Sequence, residues 1–141
     1  MLRIQRRLTV VAAALLVSAT CAGCTRWGLG KFALTDAKIC QNVDADRQPV
    51  GITSEFPTGT SVVHCWFAWK EAPPQFQLVA RWYYATEEFL ILAFPVTLTR
   101  RADHGVVSLK MIEGKSLPPG NYRVEFLAKT RVLKTLPFTV R

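Results

Sequence analysis

From residue 37 onward, apolar residues recur at every second position in short stretches that glycine, proline and aspartate separate. No ten-residue segment of this region has the 3.6-residue apolar repeat of an amphipathic helix. A repeat of two is typical of β-strands that bury one face. Half of the chain is hydrophobic and 11% is aromatic, which is enough to build a packed core and excludes a disordered chain. The pattern therefore predicts an all-β domain.

Three of the predicted strands differ in how they are buried. Ser61–Lys70 is largely apolar on both faces, which predicts a central strand. Phe76–Tyr84 alternates apolar residues with Gln77, Arg81 and Tyr83, which predicts a strand with one polar face. Phe89–Leu98 is continuously apolar, and its Pro95 indicates an edge position or a bulge. Together with shorter stretches and a closing hairpin that ends at Val140, we expect six or seven strands.

The closing hairpin carries a family resemblance. The segment Leu117-Pro118-Pro119-Gly120-Asn121-Tyr122-Arg123-Val124, followed by Phe138-Thr139-Val140, resembles the last hairpin of bacterial immunoglobulin-like and fibronectin-type accessory domains. The resemblance implies an immunoglobulin-like antiparallel β-sandwich and carries no activity. A small closed β-barrel is the alternative architecture.

The N-terminus has the order of an export signal. Arg3, Arg6 and Arg7 precede an uncharged stretch of twelve residues, Leu8–Ala19. Twelve helical residues rise about 18 Å, which is too short for a hydrocarbon core of roughly 30 Å. We therefore expect a cleaved signal peptide rather than a permanent membrane helix.

The sequence Cys21-Ala22-Gly23-Cys24 resembles the lipobox of bacterial lipoproteins, although Cys21 stands where leucine is usual. The resemblance implies lipidation of Cys24; lipidation of Cys21 and ordinary secretory cleavage are the alternatives. Residues 1–23 would then form a signal peptide, 24–36 a tether and 37–141 the β-sandwich. Because Thr25 follows the anchor in place of aspartate, the resemblance implies a lipid anchor in the bacterial envelope, in the outer membrane if the host has one, with the domain in the periplasm or at the surface.

Two further cysteines, Cys40 and Cys65, lie in predicted strands. In an oxidising compartment an even pair favours a structural disulfide. Two buried free thiols are the alternative.

Residues with catalytic chemistry are sparse in the predicted domain. His64 and His104 are forty positions apart, and no zinc-type cluster, phosphate loop or nucleophile elbow is present. We expect no enzyme activity, no metal and no cofactor. The strands instead concentrate aromatic residues, and an exposed binding face is predicted at His64, Trp66, Arg81 and Tyr83.

The chain carries a formal charge of +8, from 18 basic and 10 acidic residues. Removing 23 of its 141 residues would leave 118 residues and a charge of +5, because three arginines belong to the signal. This excess lies after residue 99 and defines a predicted basic patch. The patch comprises Arg100, Arg101, Lys110, Lys115, Arg123, Lys129, Arg131 and Lys134.

These observations favour a lipid-anchored accessory or assembly protein of the envelope that presents a β-sandwich surface to a protein or an anionic partner. Export argues against nucleic acid as the partner. A periplasmic inhibitor of a hydrolase is the first alternative, and an enzyme with an unrecognised site is the second.

Overall fold

A computed structural model describes residues 30–141, which form nine β-strands. The predicted signal peptide and the first part of the predicted tether, including Cys21 and Cys24, lie outside the described residues. The strands are β1 Ala33–Val43, β2 Pro49–Ile52, β3 Glu55–Phe56, β4 Val62–Lys70, β5 Phe76–Tyr84, β6 Phe89–Leu98, β7 Asp103–Lys110, β8 Gly120–Ala128 and β9 Arg131–Val140.

The strands form two open sheets that pack face to face. One sheet has four strands in the order β2-β1-β4-β7, and the other has five in the order β3-β9-β8-β5-β6. The predicted β-sandwich is confirmed, and two separate sheets exclude a closed barrel for residues 30–141. β4 is central and β6 is an edge strand, as their sequences predicted. The register shift in β6 lies at Ile91, opposite Trp82 and Tyr83, and Pro95 pairs in regular register with Val79.

The strand count exceeds the prediction, and one additional strand arises because the chain changes sheets between Val50 and Phe56. β2 pairs with β1 in the four-stranded sheet, whereas β3 pairs in parallel with the end of β9 in the five-stranded sheet. A single apolar stretch therefore contributes two strands. The domain also begins earlier than residue 37, since β1 starts at Ala33 and the buried Phe32 lies 4.2 Å from the ring of Phe76.

The core lies between the sheets and is built from the alternating inward residues. Phe67 of β4 meets Phe126 of β8 with ring centroids 4.9 Å apart, and both are at most 1% exposed. Gly105 of β7 leaves room for this aromatic layer, because a Cβ there would lie 3.0 Å from Cζ of Phe67. Aromatic burial of this kind supplies much of the hydrophobic stabilisation of a small domain.

Tyr122, at the beginning of β8, ties the closing hairpin to the turn before it. Its buried hydroxyl donates a hydrogen bond to the carbonyl oxygen of Pro118, and burial raises the pKa of Tyr122 to about 12. A tyrosine that bonds back to the backbone a few residues upstream is a recurrent corner of immunoglobulin-like sandwiches. The turn predicted before Tyr122 is therefore present, and the hydrogen bond from Tyr122 to Pro118 holds it against β8.

We expect Tyr122→Phe to lower the free energy of unfolding by about 1 kcal/mol, because the corner loses one hydrogen bond. Urea unfolding followed by fluorescence measures the change. Tyr83→Phe is the matched control, since the Tyr83 hydroxyl makes no hydrogen bond within the described residues. Equal losses in the two variants would contradict the role of the corner.

Candidate interaction surfaces

The predicted binding face is divided between the two sides of the sandwich. His64 and Trp66 lie on the outer face of β4, in the four-stranded sheet, whereas Arg81 and Tyr83 lie on the outer face of β5, in the five-stranded sheet. The prediction of one continuous face is therefore wrong. Its cause is that β4 and β5 are consecutive in sequence but belong to different sheets.

The outer surface around Trp66 is half-buried rather than open. The Nζ atom of Lys38 lies 5.6 Å from the centre of the Trp66 ring, and His104 stacks on the same ring at 5.9 Å. The β1–β2 loop holds His104 in turn, because Gln48 Nε2 and the Asp46 carbonyl oxygen each lie 3.3 Å from His104 Nε2. This surface is thus already occupied by side chains and a loop of the same chain.

The surface around Tyr83 is a closed charge network. The guanidinium of Arg123 lies 4.2 Å from the ring centre of Tyr83 and donates hydrogen bonds to both carboxylate oxygens of Glu88, at 2.8 and 2.9 Å. It also bonds to Glu125 at 3.0 Å. These bonds raise the pKa of Arg123 and hold the pKa of Glu88 below its usual range. The positive charge of Arg123 is therefore neutralised by Glu88 and Glu125, and Arg123 does not contribute to the predicted basic patch.

Cys40 and Cys65 are free, buried thiols, so the expected disulfide is not formed in this structure. Cys65 lies opposite Ile39 and faces the core, whereas Cys40 lies opposite His64 on the outer side of the same sheet. Side chains that point to opposite faces of a sheet are poorly placed for a bridge. Burial raises the pKa of both thiols, which keeps them in the neutral form at neutral pH.

The remaining members of the predicted patch separate into distinct regions. Lys110 and Lys115 lie at one end of the sandwich, where β7 ends, and Lys134 lies along β9. Four others lie at the other end: Arg100 and Arg101 in the β6–β7 loop, Lys129 in the β8–β9 turn, and Arg131 at the first position of β9. A run of basic residues in sequence thus becomes two clusters, because successive turns of an antiparallel fold alternate between the two ends.

Two lysines from earlier in the chain join the second cluster. Lys70 ends β4 and pairs with Ala33, so it lies beside the residues that lead into β1, including Lys31. We call this cluster the basic end. It contains six exposed basic residues: Lys31, Lys70, Arg100, Arg101, Lys129 and Arg131. The acidic residues there are Glu71, which bonds to Arg101, and Asp103, whose Oδ2 lies 3.5 Å from Arg100.

The opposite end of the sandwich has the reverse balance. Apart from the β1–β2 loop, which reaches back to His104, its turns and strand ends hold four acidic residues against three basic ones: Glu55, Glu87, Glu88 and Glu113 against Lys110, Lys115 and Arg141. The long axis of the domain therefore runs from a positive to a weakly negative end. Sequence reasoning missed Lys31 and Lys70, because only the strand pairing brings them next to the C-terminal arginines and lysines. The available signal was their position, since Lys70 is the last residue of β4 and Lys31 comes shortly before β1.

A lateral cleft of about 530 Å³ opens between β6 and the start of β7. Phe67, Trp69 and Leu98 contribute apolar lining, and Arg47, Asp103 and His104 contribute polar lining.

Among residues 30–141 no three histidine, cysteine or carboxylate side chains gather in a metal-binding arrangement. In the same part of the chain, no helix has the length and apolar character needed to cross a bilayer.

Comparisons with known proteins support the architecture. No family model matches the sequence, and no curated protein matches it. An immunoglobulin-like protein from Pseudomonas aeruginosa has a TM-score of 0.55 at 13% identity, over 81% of this chain and 99% of that one. The domain is therefore an immunoglobulin-like β-sandwich, and at this identity the likeness extends to the fold alone.

Two further solved structures are more distant. An alkylpurine DNA glycosylase from Pseudomonas fluorescens has a TM-score of 0.45 at 15% identity, over 78% of this chain and 30% of that one. A Niemann-Pick type C2 protein from the Japanese carpenter ant has a TM-score of 0.43 at 9% identity, over 78% of this chain and 92% of that one.

The burial of His64 leads to a pH prediction. Its Nδ1 lies 2.6 Å from the Ser108 hydroxyl oxygen, and burial lowers its pKa from the ordinary value of 6.5. Below about pH 6.5 the unfolded chain therefore takes up a proton that the folded one binds less readily, so stability falls as the pH falls.

We expect the free energy of unfolding to decrease from pH 7.5 to pH 5.5, and His64→Gln to weaken this dependence. Urea unfolding at each pH measures it. This window lies above the range in which carboxylates, whose ordinary pKa is near 4.5, become protonated. The same slope in both proteins would contradict the assignment to His64.

Proposed function

We propose that this chain is a non-catalytic, lipid-anchored binding protein of the bacterial cell envelope, with its basic end held against an anionic membrane surface. The observation that carries the proposal is the position of the six basic residues at the end of the sandwich from which the N-terminal segment leaves. This segment connects the domain to Cys24, the candidate lipidation site.

The distance between anchor and domain supports this orientation. Six residue steps separate Cys24 from Gly30, the first described residue. A fully extended chain spans at most about 3.6 Å per residue, so the tether reaches no farther than about 22 Å. An anchored domain on so short a tether has the end nearest to Gly30 close to the headgroups.

The charge of the basic end supports an anionic surface rather than a neutral one. Lys70, Lys129 and Arg131 are exposed and form no salt bridge with any other described residue. Basic residues close to an anionic membrane contribute about 1 kcal/mol each, and this attraction decays over a Debye length of about 8 Å at physiological salt. With the basic end on the membrane, the two sheets and the opposite end remain available to partners in the envelope.

The anchor is tested by replacing each N-terminal cysteine in turn. We expect the wild-type chain and Cys21→Ser to incorporate a clickable fatty acid in the host, and Cys24→Ser to lose this label. Gel fluorescence after coupling to a dye measures incorporation. Label retained in Cys24→Ser, or lost in Cys21→Ser alone, would contradict lipidation at Cys24.

The membrane contact is tested separately, with a mature chain that carries Cys24→Ser and therefore no lipid. Sedimentation with vesicles at low salt should show binding to anionic phospholipid and little to a neutral one. We expect Lys129→Glu with Arg131→Glu to weaken binding to anionic vesicles by at least roughly 30-fold, because about 2 kcal/mol of attraction is lost and two repelled carboxylates are added.

The matched control reverses two charges at the other end, with Lys110→Glu and Lys115→Glu. This pair changes the net charge by the same amount and should leave most of the binding intact. Equal losses in the two pairs would show that net charge alone governs binding, and equal binding to neutral vesicles would remove the electrostatic contact.

A further inference from the structure

The inner face of the edge strand β6 is open over its central part. Leu92 and Phe94 pair with Trp82 and Ala80 of β5, which are fully buried residues of the core. Directly opposite residues of an antiparallel pair share a face of the sheet, so Leu92 and Phe94 also lie on the inner face. They are nevertheless 37% and 50% exposed, whereas Leu98 on the same face is buried. Side chains that belong to the core are therefore uncovered here.

The lateral cleft continues this open face toward the basic end. Val96 and Leu98, the next inward positions of β6, contribute to its lining together with Phe67 and Trp69 of the core. Its volume of about 530 Å³ lies within the range of about 300–1,000 Å³ that is typical of small-ligand sites. From Leu92 to Leu98 the inner face extends over six residue steps, or about 20 Å. We call this face and the cleft together the lateral groove.

The cleft also brings charged side chains to one end of the lateral groove. Its lining includes two arginines and two aspartates: Arg47 and Arg100, and Asp46 and Asp103. Arg100 and Asp103 pair with each other at 3.5 Å. Asp46 and Arg47 are exposed and form no salt bridge with any other described residue. One carboxylate and one guanidinium are thus available to a ligand.

The β1–β2 loop holds these two residues at the cleft. Asp44 Oδ1 accepts hydrogen bonds from the N–H groups of Asp46 and Gln48, each at 2.9 Å, and the Arg47 N–H donates to the Asp44 carbonyl oxygen at 3.0 Å. The contacts of Asp46 and Gln48 with His104 attach the loop to β7. A loop that is ordered before binding loses less entropy when a ligand binds.

We propose that the lateral groove binds one single-chain amphiphile with a zwitterionic head group, of the lysophospholipid class. The acyl chain lies along the inner face of β6, the phosphate pairs with Arg47 and the ammonium group pairs with Asp46. A purely anionic head group would meet Asp46 as a like charge, and an uncharged one would leave both residues without a partner. The membrane as the source of this lipid rests on the proposed function, because Arg100 belongs to both the cleft and the basic end.

Calorimetric titration of the mature chain that carries Cys24→Ser tests the inference, with three lipids that share one acyl chain. They are a monoacylglycerol, a lysophosphatidic acid and a lysophosphatidylethanolamine, each kept below the concentration at which it forms micelles. We expect one lysophosphatidylethanolamine to bind per chain, at least roughly fivefold more tightly than either other lipid. Each of the others leaves one or both charges of the cleft without a partner.

Two variants test the head-group contacts. Asp46→Asn should abolish the preference for lysophosphatidylethanolamine over lysophosphatidic acid. Arg47→Gln should weaken the binding of both phosphate-containing lipids and leave that of monoacylglycerol unchanged. Arg131→Gln is the matched control, because it removes the same charge from β9, outside the cleft, and should leave all three affinities nearly unchanged.

A second pair of variants tests the position of the acyl chain. Phe94→Glu places a charge in the lateral groove and should weaken the binding of all three lipids by roughly tenfold or more. Ala93→Glu is the matched control, because Ala93 pairs with Arg81 on the outer face of the same sheet, and binding should persist. The head-group variants lie in an exposed loop, so they remain informative if Phe94→Glu fails to fold.

Four outcomes would overturn the inference. They are no saturable binding of lysophosphatidylethanolamine, equal affinity for the three lipids, a lipid preference indifferent to both Asp46→Asn and Arg47→Gln, and equal losses in Phe94→Glu and Ala93→Glu.

Vesicle sedimentation separates this inference from the proposed function. A chain that binds anionic vesicles but none of the three lipids contradicts the lateral groove and leaves the membrane contact intact. A chain that binds lysophosphatidylethanolamine but does not distinguish anionic from neutral vesicles contradicts the membrane contact and leaves the lateral groove intact.

Discussion

Contact between the inner faces of the two sheets is the constraint on which the rest of this domain depends. Phe67 and Phe126 meet at the centre of that contact, and the strands around them bury every second side chain. Because the chain crosses repeatedly between the two sheets, its turns gather at two opposite ends. The distribution of charge between these two ends then depends on which residues the turns contain. The basic end, the opposite end and the free β6 edge are all consequences of this arrangement.

The sequence predicted the elements of the fold whose signals are local. Three signals indicated the correct local structure: the two-residue repeat of Ser61–Lys70, Pro95 within an apolar strand, and the turn before Tyr122. Each signal acts within a few residues, through side-chain alternation, a missing backbone donor and turn chemistry respectively. The change of sheet between β2 and β3 had no such signal. It depends on which distant strand offers a free edge, and that is a property of the whole fold.

The difference between local signals and properties of the whole fold also explains which parts of the candidate sites were predicted correctly. Residues His64, Trp66, Arg81 and Tyr83 are outward on their own strands, as alternation predicted, but adjacent strands in sequence lie on opposite sides of the sandwich. The charge excess after residue 99 was visible as composition, yet its division between two ends, and the contribution of Lys31 and Lys70, follow only from strand pairing. Arg123 left the patch because Glu88 and Glu125 compensate its charge. Cys40 and Cys65 are near in register but face opposite ways.

The orientation of the domain on the membrane is the central claim, and hydrogen–deuterium exchange of the lipidated protein on anionic vesicles measures it most directly. Our account predicts added protection in the turns of the basic end, at residues 71–75, 99–102 and 129–130, relative to the same protein in neutral vesicles. Turns at residues 57–60, 85–88 and 112–116 should exchange equally in both. Protection confined to the latter turns, or none that depends on anionic lipid, would contradict the proposed orientation.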